Sequence, residues 1–169
     1  MTSPLIQVVD ENDNFIKGMS MHDAHNEGLL HRLSRVILED ENGKVLLQKR
    51  VINTSVYPGR WDTSAAGHVD VGETYLEAAK RELGEEIGIE GIELHEIGHY
   101  KISVVFNNRK LSHFTKVYRS VIKSDANLIL EASEVSSVKW FSVDEIKELV
   151  KTSPELFTEG VDEIMNRYY

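Results

Sequence analysis

The chain contains no cysteine, which removes disulfides, cysteine-ligated zinc and thiol nucleophiles together. It is also short of positive charge: 19 lysines and arginines stand against 28 aspartates and glutamates, a net charge of -9 at pH 7. Proteins that hold a nucleic-acid polymer by counterion release carry a basic patch, so no such partner is expected. A small phosphorylated substrate is still compatible, because a divalent ion and a few arginines neutralise phosphates locally. No segment approaches the ~20 apolar residues of a membrane span. Met1-Thr2-Ser3-Pro4 lacks the basic region and apolar run of a leader, so a cytoplasmic protein without a membrane partner is expected. There is no internal repeat and no low-complexity tract. A length of 169 residues fits one domain with a core of its own.

What is present is a concentration of acids beside a glycine-rich turn, in residues 67–89, GHVDVGETYLEAAKRELGEEIGI. Thr74 and Glu77 form a capping box and Gly88 supplies a stop, which predicts a helix from about Thr74 to Ile87. At 100° per residue Leu76, Ala79, Leu83 and Ile87 share one buried stripe, and Glu82, Glu85 and Glu86 fall beside it. Like charges at this spacing repel one another unless a cation sits among them. Mg2+ or Mn2+ suits such a site, since both take carboxylate oxygens and bridge them to phosphates.

The spacing Gly67, five residues, Glu73, seven residues, Arg81-Glu82-Leu83, one residue, Glu85-Glu86, one residue, Gly88-Ile89 resembles a complete Nudix box. The resemblance implies an α+β fold, an α/β/α sandwich with a mixed central sheet. It covers about Ser34 to Val150, with residues 1–33 as an N-terminal extension, 34–150 as the core and 151–169 as a C-terminal helix. It further implies that Glu82, Glu85 and Glu86 ligate metal or activate water, that Gly67 offers a backbone carbonyl to the metal, and that Glu73 and Arg81 pair to hold the loop on the helix. The implied reaction is divalent-metal-dependent hydrolysis of a pyrophosphate bond in a nucleoside diphosphate linked to a further group X, or in a similar diphosphate. The expected assembly is a monomer or homodimer.

The remaining elements follow from local patterns. Ile6–Val9 and Phe15–Gly18 read as strands around a polar turn, and residues 19–33 as a loop or short helix. Arg35–Glu39 and Val45–Gln48 flank Asn42-Gly43 as a central hairpin that ends on Lys49-Arg50. Gly98–Phe106 and Leu111–Ile122 form a second hairpin around Asn107-Asn108-Arg109, followed by a strand at Val138–Phe141 and a helix that Ser142 and Glu145 cap. Glu155–Tyr169 reads as a terminal helix, broken near Gly160. Lys49, Arg50 and Arg60 are candidate phosphate contacts, and Arg50 has the planar fork that suits phosphate best. Glu134, in a polar loop six residues before Trp140, is a candidate general base from outside the box.

The N-terminal half carries a second resemblance, to the isopentenyl-diphosphate isomerase branch of the same superfamily. Val8-Val9-Asp10-Glu11, Gly18, His25, Leu30-His31-Arg32 and Ala66-Gly67-His68 support it, with a one-residue gap before His25. In that branch three histidines and two glutamates hold a metal, and a cysteine and a glutamate move the proton. His25, His31 and His68 match the histidines, which leaves a remnant second metal site open. Ala66 replaces the cysteine, however, and no Glu-x-Glu occurs near Ser112-His113-Phe114. An isomerase-like scaffold carrying hydrolase chemistry is therefore expected. The alternatives are an isopentenyl-diphosphate isomerase-like enzyme and a non-catalytic nucleotide-binding module.

Overall fold

The computed structural model describes residues 3–169; Met1 and Thr2, the start of the stretch read above for a leader, lie outside the described residues. Among the described residues nine strands form one sheet: β1 (Ile6–Val9), β2 (Phe15–Met19), β3 (Leu30–Glu39), β4 (Val45–Arg50), β5 (Trp61–Asp62), β6 (Ala65–His68), β7 (His95–Phe106), β8 (Arg109–Val121) and β9 (Val135–Phe141). The helices are α1 (Met21–Asn26), α2 (Tyr75–Ile87), α3 (Val143–Thr152) and α4 (Glu159–Tyr168).

β3 is the hub. It runs parallel to β8 from Leu30↔Ser112 to Glu39↔Val121, and antiparallel to β1, β4 and β6, so the sheet is mixed. Successive side chains of a strand point to opposite faces. Val36 and Leu38 accordingly pack with Ala79, Leu83 and Ile87 of α2, while Ile37 packs on the other face with Ile146 of α3 and Ile164 of α4. One helix on one face and two on the other make an α/β/α sandwich.

Local chemistry fixes the element ends. Thr74 accepts from the Glu77 amide, Glu77 reaches back to the Thr74 amide, and Gly88 closes α2 at φ 73°. Asn107 and Asn108 both take positive φ, which gives β7–β8 a two-residue turn whose twist matches that of the strands.

Three sequence expectations differ from the structure. The segment 19–33 contains α1, capped by Ser20, and then the first residues of β3, which starts at Leu30 rather than near Arg35. Its first half was obscure because His31 faces a polar cavity and interrupts the apolar pattern. The β3–β4 hairpin pairs only at Leu38↔Leu46 and Glu39↔Val45; β6 then takes the place of β4 along Leu33–Val36. That exchange of neighbours brings Gly67 and His68 beside the cavity. Finally, the last helix starts at Glu159, after a short 3-10 turn at Pro154–Leu156, so Gly160 lies in its first turn and breaks nothing. Glycine is required there because a side chain would overlap the Arg35 guanidinium.

Candidate active site

A cavity of about 630 Å³ opens where β4 and β6 separate. Glu82 and Glu86 of α2 form part of its wall, one helical turn apart. Glu86 is 3% exposed; its Oε2 accepts the Ala66 amide at 3.0 Å and Gln48 Nε2 at 2.5 Å. Burial, reinforced by the charge of Glu82, pushes the Glu86 carboxyl well above the usual carboxylate range. Glu82 is lifted to about 7, chiefly by burial, against the pull of Arg81 and with help from Glu85 and Glu134. Glu85 sits at the exposed edge of the group, 3.2 Å from Arg81. β6 runs so close to α2 that a side chain at Gly67 would overlap the Glu82 carboxylate.

Arg81 ties the preceding loop to the helix. Its Nε donates to Glu73 Oε1 at 2.7 Å, and one terminal nitrogen donates to Glu73 Oε2 and the His68 carbonyl, both at 3.0 Å. The other terminal nitrogen donates to Glu82 Oε1 at 2.7 Å. Glu73 also accepts the Asp70 amide, at 3.0 Å. One guanidinium thus sets both the loop and a wall carboxylate.

The other candidates divide. Glu134 borders the cavity, and its carbonyl accepts the Val51 amide at 3.0 Å. Arg50 also borders it, with donors directed to the Val56 carbonyl, Thr54 Oγ1 and Asp62. Lys49, its neighbour in β4, points to the opposite face and lies 5.7 Å from the Trp61 ring. Arg60 lies over the rings of Tyr57 and Phe106 and donates to the Phe157 carbonyl at 3.2 Å. Neither lines the cavity.

His25, His31 and His68 also line the cavity, and they converge. Their ring centroids are pairwise 5.1 Å apart, and one nitrogen from each lies within 4.8 Å of the others. His31 donates Nδ1–H to the Leu29 carbonyl at 2.9 Å, which leaves Nε2 as its free lone pair. Burial holds all three below the ordinary imidazole range, His31 at about 3, so they are neutral at pH 7. Three neutral imidazoles facing one point are suited to a transition ion.

Sequence reasoning missed a buried network beside this cluster. Arg35 donates to Asp62 at 2.5 Å and Glu159 at 2.8 Å, and Glu159 lies 3.4 Å from His113. The one available signal was a basic residue at the head of the apolar run Val36-Ile37-Leu38.

Residues 29–160 match the model of the NUDIX domain. The chain belongs to the Nudix family. An isopentenyl-diphosphate Δ-isomerase 2 of Photorhabdus laumondii is 30% identical over 163 residues, covering 96% of this chain and 90% of that one. An uncharacterised Nudix hydrolase of Pseudomonas aeruginosa is 33% identical over 150 residues, covering 89% and 85%. A solved structure from Deinococcus radiodurans has the same fold as this chain, with a TM-score of 0.82 at 24% identity, over 97% and 98% of the two chains. The Nudix helix is α2, and no helix among the described residues is long and apolar enough to cross a membrane.

Proposed function

We propose that this Nudix protein is a hydrolase that cleaves a pyrophosphate bond in a small diphosphate, a nucleoside diphosphate linked to a group X or a similar compound, with Mg2+ or Mn2+. The observation that carries this reading is the pairing of Glu82 and Glu86 on one cavity wall. Burial disfavours the charge on each; the charge of Glu82 raises Glu86 further, and those of Glu85 and Glu134 raise Glu82. A cation completes such a pair, and the clearance at Gly67 keeps Glu82 in place to meet it.

Glu82, Glu85 and Glu86 would hold the ion, with the Gly67 carbonyl beside them. When bound, such an ion neutralises phosphoryl oxygens and lowers the pKa of water. Arg81, braced by Glu73, fixes the position of Glu82. Glu134, or a glutamate of the box not engaged in ligation, takes the proton from the attacking water. Arg50 is the cavity arginine with the fork to bind a phosphate; Lys49 and Arg60 serve only if they turn toward the cavity.

The isomerase alternative meets two obstacles in these residues. Proton transfer to a double bond needs an acid and a base on opposite sides. Ala66 offers only its amide, which Glu86 already accepts, and the β8 stretch at His113 presents an imidazole and the Thr115 hydroxyl where that branch has carboxylates. The test is a screen of nucleoside di- and triphosphates, nucleotide sugars, dinucleotides and isopentenyl diphosphate with Mg2+. A nucleoside monophosphate product is expected, and conversion of isopentenyl diphosphate without phosphate release would overturn the reading.

The convergence of the three histidines supports a second, independent ion site for a metal that favours imidazole. In a Zn2+ titration followed by calorimetry, the parent protein is expected to bind one ion that His31→Ala loses. Equal binding by both proteins would reduce the cluster to packing.

A further inference from the structure

The cavity floor carries a charge arrangement that cleavage of a diphosphate does not require. Arg35 is 4% exposed and meets two carboxylates, Asp62 and Glu159, and Arg50 reaches the second oxygen of Asp62 at 3.5 Å, so Asp62 is shared between two arginines while Glu159 meets only one. The site is closely fitted: Thr158 Oγ1 donates to Asp62 at 2.8 Å, and only glycine at position 160 leaves room for the guanidinium.

Glu159 uses one oxygen of its carboxylate. Oε1 accepts from Arg35 and lies near His113, while Oε2 is buried without a hydrogen-bond partner among the described residues. Burial raises the Glu159 carboxyl, yet Arg35 and then His113 outweigh it and hold it down at about 2. Tyr57 lines the cavity from the loop 51–60, at φ 50° and tilted against Phe106 with ring centroids 4.3 Å apart. Glu159 lines the same cavity, and burial and then the negative charge of Glu159 push the Tyr57 hydroxyl up.

We propose that Glu159 selects the group X: its unpaired oxygen takes a hydrogen bond from a hydroxyl or amino group of X. The proposal rests on the diphosphate reading above. A carboxylate oxygen accepts and does not donate, so the free oxygen of Glu159 does not receive a phosphate; the diphosphate lies toward the glutamates of α2, where a divalent ion would meet it, and X is the part that reaches Glu159. A buried carboxylate oxygen without a donor is costly, and a hydrocarbon X leaves it unpaired, whereas a sugar hydroxyl or base amine satisfies it.

The test compares dissociation constants for ADP-ribose and UDP-glucose, whose X groups carry donors, with isopentenyl diphosphate, whose X has none. Calorimetry with Ca2+ in place of Mg2+ suppresses turnover. The parent is expected to bind the donor-bearing ligands at least tenfold more tightly, and Glu159→Gln to lose about tenfold of that gap, the usual difference between charged and neutral hydrogen bonds. Both ligand types are measured on the same sample, so any loss of folded protein cancels in the ratio. Tyr57→Phe, which removes a hydroxyl from the cavity wall and keeps the carboxylate, is expected to hold or widen the gap.

An unchanged gap in Glu159→Gln, a parent that prefers isopentenyl diphosphate, or collapse of the gap in Tyr57→Phe would each overturn the proposal. So would loss of bound Co2+ by Glu159→Gln with selectivity intact, which would assign the carboxylate to the histidine cluster instead. Absence of a nucleoside monophosphate product with Mg2+, the gap being present, would sink the hydrolase reading and leave the selectivity of Glu159 standing.

Discussion

Gly67→Ala is expected to lower turnover about a hundredfold on every diphosphate the parent cleaves, the usual consequence of moving a catalytic group by about 1 Å. The added methyl group would occupy the space of the Glu82 carboxylate, and β6 cannot retreat because Gly67 and its neighbours are paired to β3 from His68 to Ala65. Glu82 must therefore swing out, taking with it the bond to Arg81. The stability loss should stay within the roughly 1–3 kcal/mol typical of overpacking, since Glu82 can move toward solvent. Steady-state kinetics beside thermal melting checks this. Parent-level turnover in a folded Gly67→Ala protein would show that the position of Glu82 is immaterial.

Glu86→Gln should separate stability from activity. Turnover is expected to fall roughly a thousandfold, the several kcal/mol that a metal site contributes to the transition state. Both donors to Glu86 meet the same oxygen, Oε2, so the amide oxygen of glutamine can accept both, and the fold loses no hydrogen bond. The pH dependence has a definite sign. A carboxyl whose pKa is raised by folding binds its proton more tightly in the native state. Its stabilising contribution is full below the unfolded value of 4.5 and declines as pH rises from there toward the raised native value. In metal-free protein, Glu86→Gln should therefore match the parent near pH 4 and melt above it at pH 7. Saturating Mg2+ should stabilise the parent more than the variant and narrow that difference. A variant that melts below the parent at pH 7 without metal would mean that the Glu86 charge stabilises the fold without an ion.

What the sequence revealed about this molecule depended on how local the determinants were. The Nudix helix was legible because its cap, its stop and its glutamates lie within one stretch, and the helical period puts Leu83 in the core and Glu82 beside it. The Asn107-Asn108 turn was legible for the same reason. Lys49 and Arg50 illustrate a rule that was available: neighbours on a strand face opposite ways, so only one of them can line a given cavity. The Arg35–Asp62–Glu159 network was beyond reach because its partners are 27 and 124 residues apart, and each looks like an ordinary surface charge by itself. The histidine matches came from resemblance. Their convergence depends on α1 and β6 meeting at β3, which no local pattern encodes.

On the reading proposed above, Glu82, Glu85 and Glu86 crowd together because a divalent ion joins them to a phosphate. The most direct measurement is anomalous scattering from crystals soaked in Mn2+ with a non-hydrolysable diphosphate. The expected result is a manganese peak within ligand distance of these carboxylates and of a phosphoryl oxygen, absent in Glu86→Gln. A map with diphosphate bound and no manganese among the three glutamates would contradict it.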